Sequence, residues 1–180
     1  MVQLIRKFNR KSREKLSESS LFKNCLKPDC TDAVNGRKRV FPAIRDGNID
    51  FYYRGGRLFK FDGNNFKTNT KHASVIAGGY SGDIVESKLK DLKLISSFEE
   101  GYERVKENCS KYAGKEAIGA AELQSAHSYL IPENRIVVLD IEIQFAKNNS
   151  RIDLLVYNMD ERCLRFYELK HYKNSESRDS

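Results

Sequence analysis

The sequence predicts an α+β protein: a small antiparallel β meander, then a helical stretch, then a second three-stranded meander. Three observations carry this. Short aromatic-rich runs between residues 48 and 70 are separated by Gly and Asn turns, helix-like segments occupy about 97–131, and apolar strand-like runs occupy about 135–172. Helix followed by strand, strand and strand is a layout in which helices cover one sheet.

Residues 1–24 read as a basic helical or partly unstructured arm, because Leu4, Phe8, Leu16, Leu21 and Phe22 are too sparse for an amphipathic stripe. Cys25–Arg39 has turn and linker composition, so 1–39 is expected as arm and linker. A small β-meander domain is expected over 40–83. Asn48–Arg54 and Arg57–Phe61 form its hairpin around Gly55-Gly56, Asp62–Asn65 makes a turn, and Phe66–Thr70 is a third strand. Ala73–Asp83 reads as a Gly/Ser-rich connection. The remainder, 84–180, is expected as one unit: a helix from a Ser97 cap towards Lys111, a helix over Glu116–Leu130 stopped by Pro132, and strands at Arg135–Phe145, Arg151–Tyr157 and Cys163–Tyr172. Val137, Leu139, Ile141, Ile143 and Phe145 are expected on one face of the first of these strands.

The chain has 180 residues, 39% hydrophobic and 32% charged, with no run near the roughly 18 apolar residues a membrane span requires. The basic, polar start lacks the apolar core of a secretory signal, so a cytoplasmic location without membrane association is expected. The net charge of +7 is concentrated. Residues 1–40 hold eleven Lys/Arg against four Asp/Glu, and the remaining residues balance. Such a segment suits phosphates, whose neutralisation releases condensed counterions, or is simply solvated. Four cysteines show no framework spacing; Cys25 and Cys30 could be half of a zinc knuckle, but no second closely spaced pair follows.

The chemistry concentrates in the last two strands. Glu168 and Lys170 are two apart and project to one face, and a short turn lets the preceding strand bring Asp153 beside Glu168. Two carboxylates on neighbouring strands form a hard-oxygen site suited to magnesium, and an adjacent lysine can orient water or offset charge on a phosphate. The acid-x-Lys pattern alone is weak, since it recurs at Glu86-Ser87-Lys88 and Asp91-Leu92-Lys93; only Glu168-Leu169-Lys170 follows a strand carrying an acid. A structural ion pair is the competing reading. Asp140 and Glu142, two apart on the first strand, are expected on its solvated outer face. His127 is expected as a helix-surface histidine, with a phosphate contact as the alternative, and His171 as structural; His72, beside a loop, carries no signal.

Arg-Ile-Asp-Leu-Leu at 151–155 followed by Tyr-Glu-Leu-Lys at 167–170 resembles the PD-(D/E)XK, restriction-endonuclease-like nucleases, over roughly residues 116–173. The resemblance implies a restriction-endonuclease-like α-β-β-β core continuing into a helix and a fourth strand. It implies that Asp153, Glu168 and the Leu169 carbonyl hold Mg²⁺ or Mn²⁺ and that Lys170 positions the attacking water. It also implies an acid from the first helix, with Glu122 the first choice and Glu116 the second. Ile152 stands where the family pattern has proline. Only ten residues follow Lys170, so the core is expected to be truncated before its last helix and strand, as a fragment of a longer protein, a core completed by another chain, or a degenerate domain.

The expected activity is therefore endo- or exonucleolytic hydrolysis of DNA, in restriction, defence or DNA processing, with a homodimer or further domains as partners. Arg37, Lys38, Arg39, Arg54, Arg57 and Lys60 are the expected nucleic-acid contacts, the last three interleaved with Tyr52, Tyr53, Phe59 and Phe61 as a base-stacking surface. The alternative is a non-catalytic nucleic-acid-binding or protein-interaction module on a degenerate nuclease fold.

Overall fold

A computed structural model describes residues 7–31, 40–73, 82–89, 95–144 and 151–170. It is a mixed α+β structure with two antiparallel sheets. Helix α1 (Arg10–Glu18) starts at Asn9, whose side chain accepts from the Ser12 N–H, and a π-helical turn (Phe22–Leu26) leads into α2 (Lys27–Thr31). Strands β1 (Phe41–Ile44), β2 (Ile49–Tyr53), β3 (Gly56–Phe61) and β4 (Phe66–Asn69) precede the short α3 (Thr70–Ala73) and β5 (Asp83–Val85). Together β1 to β5 form a five-stranded sheet in sequential order. Helices α4 (Tyr102–Tyr112) and α5 (Lys115–Ala126) follow. A three-stranded sheet of β6 (Ile136–Gln144), β7 (Arg151–Asn158) and β8 (Cys163–Tyr167) completes the described chain.

The expected basic arm is part of the core. Phe8, Leu16, Leu21 and Leu26 are buried with Phe51, Phe59, Phe61 and Phe66 of the first sheet and with Phe98, Tyr102, Val105 and Cys109 around α4. This cluster crosses both expected boundaries, at 39/40 and 83/84. Cys25–Thr31 is helical rather than linker, and Cys30 is buried in the same core. A buried charge contact fastens α2 to α4: Lys106 Nζ lies 2.8 Å from Asp29 Oδ2, which also accepts from the Tyr102 hydroxyl at 3.0 Å. A carboxylate placed so deeply requires such partners.

Four local expectations shift. The β2–β3 turn is Arg54-Gly55, with φ of 46° and 86°, and Gly56 already belongs to β3. Both turn residues take the left-handed conformation that a two-residue hairpin demands. On β6 a bulge between Val138 and Asp140 inserts Leu139 as an extra residue. The side-chain phase flips there: Val137, Val138, Ile141 and Ile143 are buried, while Leu139 is exposed and Asp140 is fully buried. Helix α5 ends at Ala126, before Pro132, and β8 ends at Tyr167, before Tyr172.

A second cluster joins the two sheets. Ala43 and Tyr52 of the first meet Val138, Ile141, Leu154 and Val156 of the second, with Ala120 of α5 among them. Among the described residues no helix is long and apolar enough to cross a membrane.

Candidate functional site

The ladder between β7 and β8 pairs Leu154 with Tyr167, Leu155 with Phe166 and Val156 with Arg165. Carrying that register one step further sets Asp153 opposite Glu168, just beyond the end of β8. A hydrogen bond holds the alignment: the Leu169 N–H donates to Asp153 Oδ2 at 2.6 Å. The Leu169 side chain packs against the second core cluster, which anchors the backbone that makes this bond. Just past β8 the side chains of Glu168 and Lys170 meet, Lys170 Nζ lying 2.9 Å from Glu168 Oε1. Asp153 is half-buried, whereas the side chains of Glu168 and Lys170 are 68% and 40% exposed. Glu168 is thus a solvent-facing group at a strand end, not the strand-interior acid the sequence suggests.

The β6–β7 ladder extends this row. One residue on each strand lies between the pairs Ile141–Leu154 and Ile143–Ile152, so Glu142 stands opposite Asp153. Glu142 takes a left-handed φ of 50°, and its carboxylate turns elsewhere: Oε2 accepts from the Tyr52 hydroxyl at 3.2 Å and lies 3.8 Å from Arg151 Nη1. Burial, with Glu142 next in effect, holds the Tyr52 hydroxyl well above the ordinary tyrosine range.

Asp140 was expected on a solvated face and is instead sealed between the sheets. Arg45, just past β1, donates from Nη1 to Asp140 Oδ2 and from Nη2 to the Ile141 carbonyl, both at 2.6 Å. Asp140 Oδ1 accepts from the Ile141 N–H at 2.8 Å. Asp50 lies 3.8 Å from Arg45 Nε, and burial raises its carboxyl above the ordinary range. This Arg45-centred group joins the sheets. Nothing in the local sequence announces either the bulge at Leu139 or the arginine that reaches Asp140.

Helix α5 packs through Ala120 onto the face of the second sheet that carries Leu154 and Val156, whereas Asp153 occupies the alternate position of β7. Glu122 is exposed on α5 and is not brought to Asp153; Glu116 lies in the first turn of the same helix. His127 caps α5, its carbonyl accepting from Val138 N–H, and His72 is buried and held below the ordinary histidine range by burial. His171 lies outside the described residues. Among the described residues no three His, Cys, Asp or Glu side chains gather as a metal-binding group, around Cys25 and Cys30 included.

The expected nucleic-acid contacts that fall among the described residues are Arg54, Arg57 and Lys60. Arg37, Lys38 and Arg39 lie outside the described residues. Arg57 is bound to both Asp83 carboxylate oxygens at 2.6 Å, and Lys60 is half-buried opposite Asp50 and Lys67. Arg54 is exposed at the hairpin turn with its guanidinium 5.4 Å from the Tyr53 ring centre. Tyr52, Phe59 and Phe61 are buried, so these aromatics fill cores and offer no face to a base.

Asp153 and Glu168, with the Leu169 carbonyl between Glu168 and Lys170, are a hard-oxygen donor set. Magnesium commonly binds through one or two carboxylates and keeps several waters, so two carboxylates and one carbonyl are chemically sufficient. No family model, no curated protein and no solved structure matches the chain.

Proposed function

We propose that the chain is a Mg²⁺- or Mn²⁺-dependent nuclease of the PD-(D/E)XK type, hydrolysing phosphodiester bonds in DNA, with a restriction-endonuclease-like second sheet. The observation that carries this reading is the alignment of Asp153 with Glu168-Leu169-Lys170, fastened by the Leu169 N–H to Asp153 Oδ2 bond of 2.6 Å. A chance ion pair at the sheet surface has no need of that backbone tie.

The residues then divide the work. Asp153 Oδ1, one Glu168 oxygen and the Leu169 carbonyl would hold the metal. A bound Mg²⁺ polarises the phosphoryl oxygen and acidifies a coordinated water. The Leu169 N–H occupies Asp153 Oδ2, fixing the carboxylate so that Oδ1 is presented in one orientation. Lys170, whose Nζ lies 2.9 Å from Glu168 Oε1, would orient the attacking water or offset charge on a phosphate oxygen.

One observation favours the non-catalytic reading: the Glu168–Lys170 contact is an exposed ion pair, which contributes little to stability and forms readily without function. Cleavage decides between them. The wild type is expected to nick circular plasmid or shorten linear duplex with Mg²⁺ or Mn²⁺ and not with EDTA. Glu168→Gln and Lys170→Met are each expected to lower the rate by about 100-fold or more while leaving the melting temperature unchanged. A folded wild type without cleavage on either substrate, or variants with full activity, would contradict the nuclease reading.

A further inference from the structure

Arg151 opens β7 two positions before Asp153. Strand alternation puts both side chains on one face of the second sheet, about 7 Å apart along the strand. The Arg151 side chain is 64% exposed, and its contact among the described residues is Glu142, whose Oε2 lies 3.8 Å from Nη1. That separation is too long for a hydrogen bond. Other arginines are committed more closely: Arg45 to the buried Asp140, Arg57 to both oxygens of Asp83, Arg165 to Glu161. Glu142 is itself held, since the hydroxyl of the buried Tyr52 donates to the same Oε2 at 3.2 Å. Glu142 stands opposite Asp153 in the β6–β7 ladder, so a guanidinium drawn to it lies along the Asp153 row.

We infer that Arg151 binds the backbone phosphate next to the scissile one on the same nucleic-acid strand. A separation of two strand residues is comparable with the spacing of successive phosphates along one strand. A metal at Asp153 would hold the first phosphate while the guanidinium meets its neighbour. Arginine suits that task because its planar fork gives two parallel, charge-assisted hydrogen bonds to phosphate oxygens. Giving up the Glu142 contact costs little, since an exposed ion pair at 3.8 Å contributes little to stability. Glu142 thereby acts as a positioning residue. It orients the guanidinium without saturating it, and keeps it off Asp153, where a cation would compete with the metal.

This inference rests on the nuclease reading and adds a substrate requirement to it: a strand that carries a further phosphate beside the cleaved bond. A contact to phosphate carries no base information, so Arg151 is expected to act alike on every sequence.

Binding of a labelled duplex to the full chain, measured over a series of salt concentrations with Ca²⁺, tests it alongside cleavage kinetics in Mg²⁺. Ca²⁺ takes the same kind of oxygen donors. Arg151→Met is expected to weaken binding about 10-fold and to lower the slope of log affinity against log salt by about 1, the signature of one lost phosphate contact. KM is expected to rise while kcat stays within about twofold. Arg151→Lys keeps the charge and is expected to keep the slope. Both variants should bind metal and melt as the wild type does, because the side chain is exposed. An Arg151→Met protein with the wild-type slope and KM, a loss carried by kcat alone, or an Arg151→Lys slope as low as that of Arg151→Met would overturn the inference while a cleaving wild type leaves the nuclease reading standing. A folded wild type that neither binds nor cleaves the duplex would overturn both.

Discussion

Replacing Arg45 with methionine is expected to destabilise the protein by about 3–5 kcal/mol, the cost of leaving one member of a buried ion pair without the other. Asp140 is fully buried, and the Arg45 guanidinium reaches it at 2.6 Å and its neighbour's carbonyl at the same distance. Methionine fills similar volume but supplies neither bond. The loss also loosens the contact between β1 and β6 that brings Ala43 and Tyr52 against Val138 and Ile141. The companion variant Arg45→Met with Asp140→Leu is expected to recover much of the deficit, since replacing both charges by apolar groups removes the desolvation cost of both. Urea denaturation reads both outcomes through the transition midpoint. A single variant within about 1 kcal/mol of wild type would mean that Asp140 does not depend on Arg45, against the placement described.

The second large effect is expected at the β2–β3 turn. Gly55 has φ of 86°, and a Cβ there would lie 2.5 Å from the Ile118 nitrogen and 2.6 Å from the Ala117 carbonyl carbon and oxygen. Alanine carries the left-handed penalty of about 1–2 kcal/mol. It must also push the backbone of α5 off the hairpin, at about 1–3 kcal/mol more. Because α5 brings Ala120 onto Leu154 and Val156, displacing it also opens the face beneath the Asp153 strand. Gly47 is the internal control. Its φ is 73°, but an added Cβ meets nothing within 4 Å, so Gly47→Ala is expected to show the conformational penalty alone. Equal melting temperatures for the two variants would contradict the close packing of α5 on the turn.

Much of the second sheet is readable from residue types. Val, Ile, Leu and Tyr runs separated by polar turns mark β6, β7 and β8, and their starts fall within one residue of expectation, because apolar alternation and turn composition agree there. The site residues Asp153, Glu168 and Lys170 come from the same pattern, and their neighbourhood follows from an ordinary ladder register. What escapes the sequence depends on distant packing. The place of helix α1 in the core hides because one of its buried positions is Ser12, on the face that also carries Phe8 and Leu16, so no apolar stripe is apparent. Strand β1 contains Pro42, which reads as a strand breaker and is tolerated because β1 is an edge. Strand β5 is three residues long and carries no pattern of its own.

The Arg45–Asp140 contact is invisible for a deeper reason. Asp140 reads as an outward residue, and it does lie on the face opposite Ile141 and Leu154; what buries it is an arginine 95 positions away. Glu122 illustrates the converse. Its helix is correctly foreseen, but sequence alone does not say which face of the sheet that helix covers, and Ala120 places it on the Leu154 and Val156 side.

Calorimetric titration of Mg²⁺ and Mn²⁺ into the wild type and into Asp153→Asn tests the central claim most directly, because it isolates the donor set from DNA binding and turnover. Asparagine keeps the size of the side chain and can still accept the Leu169 N–H through its amide oxygen, so the local fold is preserved while the charge is removed. The account predicts saturable binding by the wild type and binding weakened about 10-fold or more in Asp153→Asn. No binding by a folded wild type, or equal binding by both proteins, would contradict a metal centre at Asp153 and Glu168.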